Sequence, residues 1–239
     1  AMLRGIRAIG RKHKGFSINR VVFDKKYPQA LRKGFSWSAR VPGGADETML
    51  AASRVFGADC SDADQLTRAE IDGRRQVRAV CDLLRDHFLG GKGVPLLTLP
   101  TKIGIRETRH ARCLHQLTVD ELLGGTRFPD AIANGSYRVD VHSATGAGVR
   151  FRDLKETTFY QVPYRSLVPQ GSQNVVVAGR CLDADEEAFG GVRVMVNCNQ
   201  MGQAAGVACH VAIDSGRAVA AIDATKRRAT LQAQGAIVL

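Results

Sequence analysis

Aromatic side chains are scarce in these 239 residues, at 6%, and Trp37 is the sole tryptophan. No apolar run approaches the roughly 18 to 20 residues that a membrane-spanning helix needs. The six cysteines (Cys60, Cys81, Cys113, Cys181, Cys198 and Cys209) are scattered without a Cys-x-x-Cys pair. That argues against a zinc site and for a reduced chain, so the expected location is cytoplasmic, with no metal and no membrane contact. The basic start Ala1-Met2-Leu3-Arg4-Gly5 is followed by no apolar core of a secretory signal. A glycine-rich phosphate turn is missing too. Gly5 and Gly10 have the wrong spacing and no strand is expected before them, while Gly146 and Gly148 lack a third glycine.

What is present is ordinary in bulk: 44% apolar and 24% charged residues suit a globular chain of one large or two small domains. The charge is uneven. Residues 1–54 hold twelve Lys or Arg against three Asp or Glu, which is +9 of the formal net +11. A stretch such as Arg11-Lys12-His13-Lys14 has the charge to track phosphates, or to form a solvated leader or face an acidic partner. Few aromatics accompany it and no nucleic-acid module is evident, so nucleic acid is not the expected partner.

Period and turn signals give a coarse layout. Strands are expected at Ser17–Phe23 and Trp37–Val41, then a turn at Pro42–Asp46. A helix capped by Thr67, with Glu70 completing a capping box, buries Ile71, Val77, Val80, Cys81, Leu84 and Phe88 and ends at Gly90-Gly91. A short helix follows Thr118, and Asp130–Gly135 is read as its continuation. Arg138–His142 alternates as a strand, and Thr158–Pro163 is extended. In the last third, Asn174–Arg180 reads as a buried strand ending at Gly179. A small-residue helix then runs from about Val194 to Asp214 and closes at Gly216. Glycine and alanine at the start of that helix, after a strand that ends in glycine, suit close approach of a flat ligand at the carboxyl end of a sheet.

Several groups of residues carry the resemblance to a known family. They are Gly104-Ile105-Arg106-Glu107-Thr108-Arg109, Leu117-Thr118, Phe128–Ala133 and Val139–His142, followed by Tyr164–Pro169, Val177–Cys181, Arg193-Val194-Met195 and Gly202–Gly206. Over about residues 65–239 the chain resembles the FAD-dependent oxidoreductases of the bacterial flavoprotein group. The resemblance implies an α/β fold: a substrate-domain portion (1–157) and the C-terminal part of a Rossmann-like FAD-binding domain (158–239), incomplete because the glycine-rich dinucleotide turn is absent. It implies FAD as cofactor, a small-molecule substrate and hydride transfer between the two. It also implies a partner, either a polypeptide carrying the dinucleotide-binding half or further copies of this chain. The alternative is a non-catalytic remnant or subunit that does not bind FAD alone.

The same resemblance places Tyr164, Arg165, Ala178, Gly179, Arg180, Arg193, Asn199, Gly202, Gln203 and Ala204 at the cofactor. Gly202 and Gly206 admit a ring, or else let the helix pack tightly on a sheet. Arg106 and Arg109 supply forked donors for a substrate carboxylate or carbonyl, or else form a structural ion-pair network with Glu107. His142, beside Asp140, is either a proton acceptor or a satisfied structural histidine.

Overall fold

The computed structural model describes residues 2–15, 17, 24–27, 37–51, 53–89, 95–144, 148–156 and 158–239. The chain forms two compact units, one of residues 1–105 with 143–148 and one of residues 106–142 with 149–239. Helix and strand are mixed throughout, as an α/β reading requires. The strand ladders of the described residues are antiparallel, and the one parallel contact among them is the isolated bridge Leu117–Ala184.

The first unit is a four-stranded sheet in the order β2-β3-β1-β4, made of β1 (Met2–Arg4), β2 (Trp37–Arg40), β3 (Glu47–Ala51) and β4 (Leu96–Thr98). A strand does precede Gly5, contrary to expectation. Three residues are too few to show alternation, and pairing on both edges with β3 and β4 makes the strand. The short helix α1 (Ile6–Lys12) follows. The long helix α2 (Ala63–Phe88) begins earlier than expected, because Asp62, not Thr67, accepts the N–H of Gln65. Thr67 lies inside the helix and donates its hydroxyl to Ala63 O. The buried face is Ala69, Gly73, Gln76, Val80, Leu83 and Leu84, while the expected core residue Ile71 is exposed. Leu3, Ile6, Ile9 and Leu50 complete that core. Gln76 is tolerated there because its amide bonds both the N–H and the C=O of Arg54, at 2.7 and 2.9 Å. His13, in the basic segment, lies 2.8 Å from Phe88 O through Nε2. The expected strand over Ile18–Phe23, the helix end at Gly90-Gly91 and the Gly146-Ala147 pair lie outside the described residues.

The second unit holds α3 (Val119–Gly124), β5 (Ala131–Gly135), β6 (Val139–His142), β7 (Val149–Arg152), β8 (Tyr160–Pro163), α4 (Glu186–Val192), α5 (Met195–Ser215) and α6 (Ala224–Ala233). Thr118 caps α3 as expected and forms a capping box with Glu121, and Gly125 ends the helix in the left-handed region. Residues 131–135 do not continue that helix. They form β5 and pair with β8, since a buried apolar run this short suits either element and the partner strand decides. Residues 174–180 are likewise not a strand. Among the described residues Val177 N–H donates to Leu167 O, no ladder extends from it, and Gly179 turns at φ +81°. Helix α5 runs as expected, from the N-cap Val194 to the left-handed Gly216.

One hydroxyl ties these elements. Tyr160, fully buried on β8, donates to Gly191 O at 2.9 Å and accepts from Asn197 Nδ2 at 2.7 Å. Gly135 makes room for the ring: a Cβ there would stand 2.3 Å from Tyr160 Cε2. Gly190 lets α4 meet β6, for a Cβ at that position would lie 3.0 Å from Asp140 O. The core around them includes Leu117, Leu122, Ile132, Val162, Leu182, Phe189, Met201 and Val211.

Burial pushes the phenols of Tyr160 and Tyr164 up to about 12. Below the ordinary value of 10.0 both are protonated in folded and unfolded chains, so their contribution is complete. Between 10 and 12 the unfolded chain releases these protons first, and stability falls as pH rises. Urea unfolding should therefore show a declining midpoint above pH 10, with a shallower decline in Tyr160→Phe. At neutral pH the same variant should lose about 1–3 kcal/mol, because Asn197 and Gly191 are left without a buried partner. An unchanged alkaline slope would contradict this assignment.

Candidate functional site

Two regions of the second unit gather the residues singled out in the sequence. The first is a polar centre built on β6. Asp140 and His142 are two apart on one strand, so the pleat places them on the same face. His142 Nε2 lies 2.9 Å from Asp140 Oδ1. Tyr137 OH donates to Asp140 Oδ2 at 3.1 Å. From the end of α4, Arg193 donates to Asp140 O at 2.8 Å and stands 3.5 Å from Oδ2, with its side chain 11% exposed. Arg180 Nε in turn donates to Arg193 O at 3.3 Å. Burial is the largest cause that pulls the Arg193 pKa down, followed by the neighbouring Arg106 guanidinium. Burial and then Asp140 push the Tyr137 hydroxyl up.

Arg106 and Arg109 are both exposed, and Glu107 does not bridge them. Its carboxylate lies 3.0 Å from His110 Nε2, and the His110 ring packs on Phe189 at 4.5 Å. Of the expected catalytic set, His142 belongs to this centre, and Arg106 is known there only through its effect in lowering the Arg193 pKa. Tyr137 was not anticipated, though its spacing of three from Asp140 was a readable signal.

The second region is helix α5. Its N-cap Val194 offers no side-chain cap, and no acidic residue occupies the first turn, so the positive end of the helix dipole is unbalanced there. Met195, Asn199, Gly202, Gly206, Cys209 and Ile213 recur at spacings of four and three and all face solvent. A Cβ added at Gly202 or Gly206 would meet nothing within 4 Å. Tight packing of these glycines on a sheet is therefore not seen among the described residues. Ala204, by contrast, is fully buried and faces the core.

Beside the open stripe is a cavity of about 580 Å³ lined by Asn134, Gly135, Phe159, Gln200, Gln203 and Ile237. That is within the range of roughly 300–1,000 Å³ usual for small-molecule sites. Gln200 shapes its wall by bonding both the N–H and the C=O of Asn134, at 3.1 Å each, which closes the free edge of β5.

The other expected cofactor residues are spread out. Tyr164 is buried, donates to Val219 O at 2.9 Å and lies under the Arg227 guanidinium. Arg165 donates through Nε to Asp130 Oδ2 at 3.1 Å. Ala178 and Gly179 are half-buried in the turn that leads to Arg180, and Cys181 Sγ donates to Ala178 O at 3.2 Å.

The fold is thus a mixed α/β one in which an open small-residue helix adjoins a cavity. The family model described as FAD dependent oxidoreductase matches residues 9–234. The chain belongs to that family, whose cofactor is FAD and whose general chemistry is FAD-dependent oxidoreduction. Neither the curated proteins nor the solved structures include a match to it. Among the described residues, no helix is long and apolar enough to cross a membrane.

A glycine inside an exposed helix costs about 1 kcal/mol relative to alanine. If nothing covers α5 in the isolated chain, Gly206→Ala should raise unfolding stability by about 0.5–1 kcal/mol. A comparable loss in chemical denaturation would show that another surface already packs there.

Proposed function

We propose that this chain takes part in moving a hydride between a small organic substrate and the flavin of FAD, and that the ring lies along the open face of α5. The observation that carries this reading is the space at Gly202 and Gly206 beside a cavity that Gln203 lines. FAD, when bound, supplies the hydride acceptor. The residues that would hold its ring are Asn199, Gly202 and Gln203, with the uncapped first turn of α5 favouring negative charge on the pyrimidine side. Residues 158–239 are on this reading the C-terminal part of a Rossmann-like FAD-binding domain, and residues 1–157 belong with the substrate.

The protein's own contribution centres on His142. Its Nε2 lies 2.9 Å from Asp140 Oδ1, which sets the ring beside a carboxylate for exchange of a substrate proton. Arg106, exposed and close enough to Arg193 to lower its pKa, would draw a polarised or anionic substrate group to this side of the unit.

The pyrophosphate finds no comparable holder. The 239 residues contain no Gly-x-Gly-x-x-Gly turn, and such a turn at a helix N-terminus supplies much of the affinity for a dinucleotide. This supports a second reading, in which the chain is a non-catalytic subunit or remnant. It also supports a partner for the first: a polypeptide that carries the dinucleotide-binding half, or another copy of this chain.

Flavin absorbance and fluorescence during FAD titration separate the readings. The chain alone should bind weakly, and the chain mixed with the product of the adjoining upstream reading frame should bind stoichiometrically. Gly202→Leu should abolish binding by the pair without lowering the unfolding midpoint, since leucine is the better helix former. Equal FAD affinity in Gly202→Leu and wild type would remove the ring from this face, and absence of binding by the pair would favour the non-catalytic reading.

A further inference from the structure

We propose that the exposed face of α5 is a two-fold interface, on which the same helix of a second copy of this chain packs antiparallel. This goes beyond the flavin reading and stands without it; a ring and a second copy would occupy the face in turn.

The face has the spacing of a helix-pairing seam. Met195, Asn199, Gly202, Gly206, Cys209 and Ile213 follow one another at steps of four, three, four, three and four, and all are exposed. Those steps are the a and d pattern of two helices in contact. The core of the unit does not call on these residues, because Met201, Ala204, Val207, Ala208 and Val211 fill the inward side of the helix. Two large apolar side chains are left in water, Met195 at 74% exposure and Ile213 at 83%.

The seam is its own complement. About the level of Ala204, Met195 and Ile213 lie nine residues to either side, Asn199 and Cys209 five, and Gly202 and Gly206 two. A two-fold axis at that level sets Met195 of each copy against Ile213 of the other, Asn199 against Cys209 and Gly202 against Gly206. That reciprocity is what an isologous contact requires. A Cβ at either glycine would meet nothing within 4 Å, so the backbones are bare where the helices cross. The bulky pair stands at the two ends, where crossing helices diverge and leave more room.

Charge selects the antiparallel sense. Helix α5 has no acidic residue in its first turn, no basic residue in its last, and no side-chain bond at its N-cap. Each end of its dipole is thus open to an opposite charge from outside the helix. An antiparallel copy brings the C-terminal end of each helix, with Asp214 in its last turn, beside the uncapped first turn of the other. Within the chain Asp214 is met by Lys226 at 2.7 Å, which holds the carboxylate at that end. A parallel pair would set like ends together.

Sedimentation equilibrium of the intact chain should show a reversible monomer–dimer equilibrium. Gly206→Glu should raise the dissociation constant at least about tenfold, because the carboxylate is buried at the crossing without a partner. Glutamate is the better helix former, so the variant keeps its fold, which circular dichroism checks. In Asn199→Cys, mild oxidation should join the introduced thiol to Cys209 of the second copy, since facing positions near the crossing come within disulfide reach. The covalent dimer should be lost when Cys209→Ser is added. A chain that stays monomeric up to about 0.5 mM would overturn the proposal and leave the face to the flavin or to a dinucleotide-binding polypeptide. A dimer that Gly206→Glu leaves intact, absence of the crosslink, or a crosslink that persists without Cys209 would overturn it as well.

Discussion

The buried hydroxyl of Tyr160 is the contact on which the second unit depends. It joins the last turn of α4 through Gly191 O to the first turn of α5 through Asn197. Between those two points lies Arg193, and directly after it the helix begins. The single phenol thus sets both where the guanidinium enters the polar centre and where the positive end of α5 emerges. Its ring occupies space that only a glycine at position 135 leaves open. Buried polar groups are costly unless paired, so this arrangement favours one geometry strongly over its alternatives.

From that junction α5 presents two unlike faces. Met201, Ala204, Val207, Ala208 and Val211 are packed into the core. The opposite stripe spends helix stability on Gly202 and Gly206 and exposes Met195 and Ile213. A helix carrying such a face gains when a broad apolar surface comes to lie on it, which is what membership of a flavoprotein family leads one to expect. The polar centre lies past the opposite, N-terminal side of Arg193, where Asp140 organises His142 and Tyr137. On the proposed reading, ring binding and proton handling fall to separate elements that meet at Arg193.

The elements that were legible from sequence are those whose signals are local. The Thr118 cap, the alternation of Val139–His142 and the run from Val194 to Gly216 need no distant partner to be recognised. The misread segments are decided by tertiary contacts. Residues 131–135 become a strand because β8 lies beside them, and Val175–Ala178 have the composition of a strand without a ladder to join. Asp62 displaced Thr67 as the cap because Asp62 itself is extended, at φ −96° and ψ 126°, and its side chain takes the Gln65 N–H as the helix begins. In the site, the Asp140–His142 pair could be read from a spacing of two. The contact of Arg180 with Arg193 O could not, since it joins residues thirteen apart in the sequence by way of the turn at Gly179.

The claim that an isoalloxazine lies along α5 is tested most directly with riboflavin, which carries the ring but no pyrophosphate and so needs no glycine-rich turn. Amide shifts of the labelled chain are followed by NMR as riboflavin is added to its solubility limit. The account predicts progressive shifts centred on Asn199, Gly202, Gln203 and Gly206, with quenching of the flavin fluorescence. Shifts that leave these four amides unmoved, or that cluster elsewhere in the chain, would contradict it.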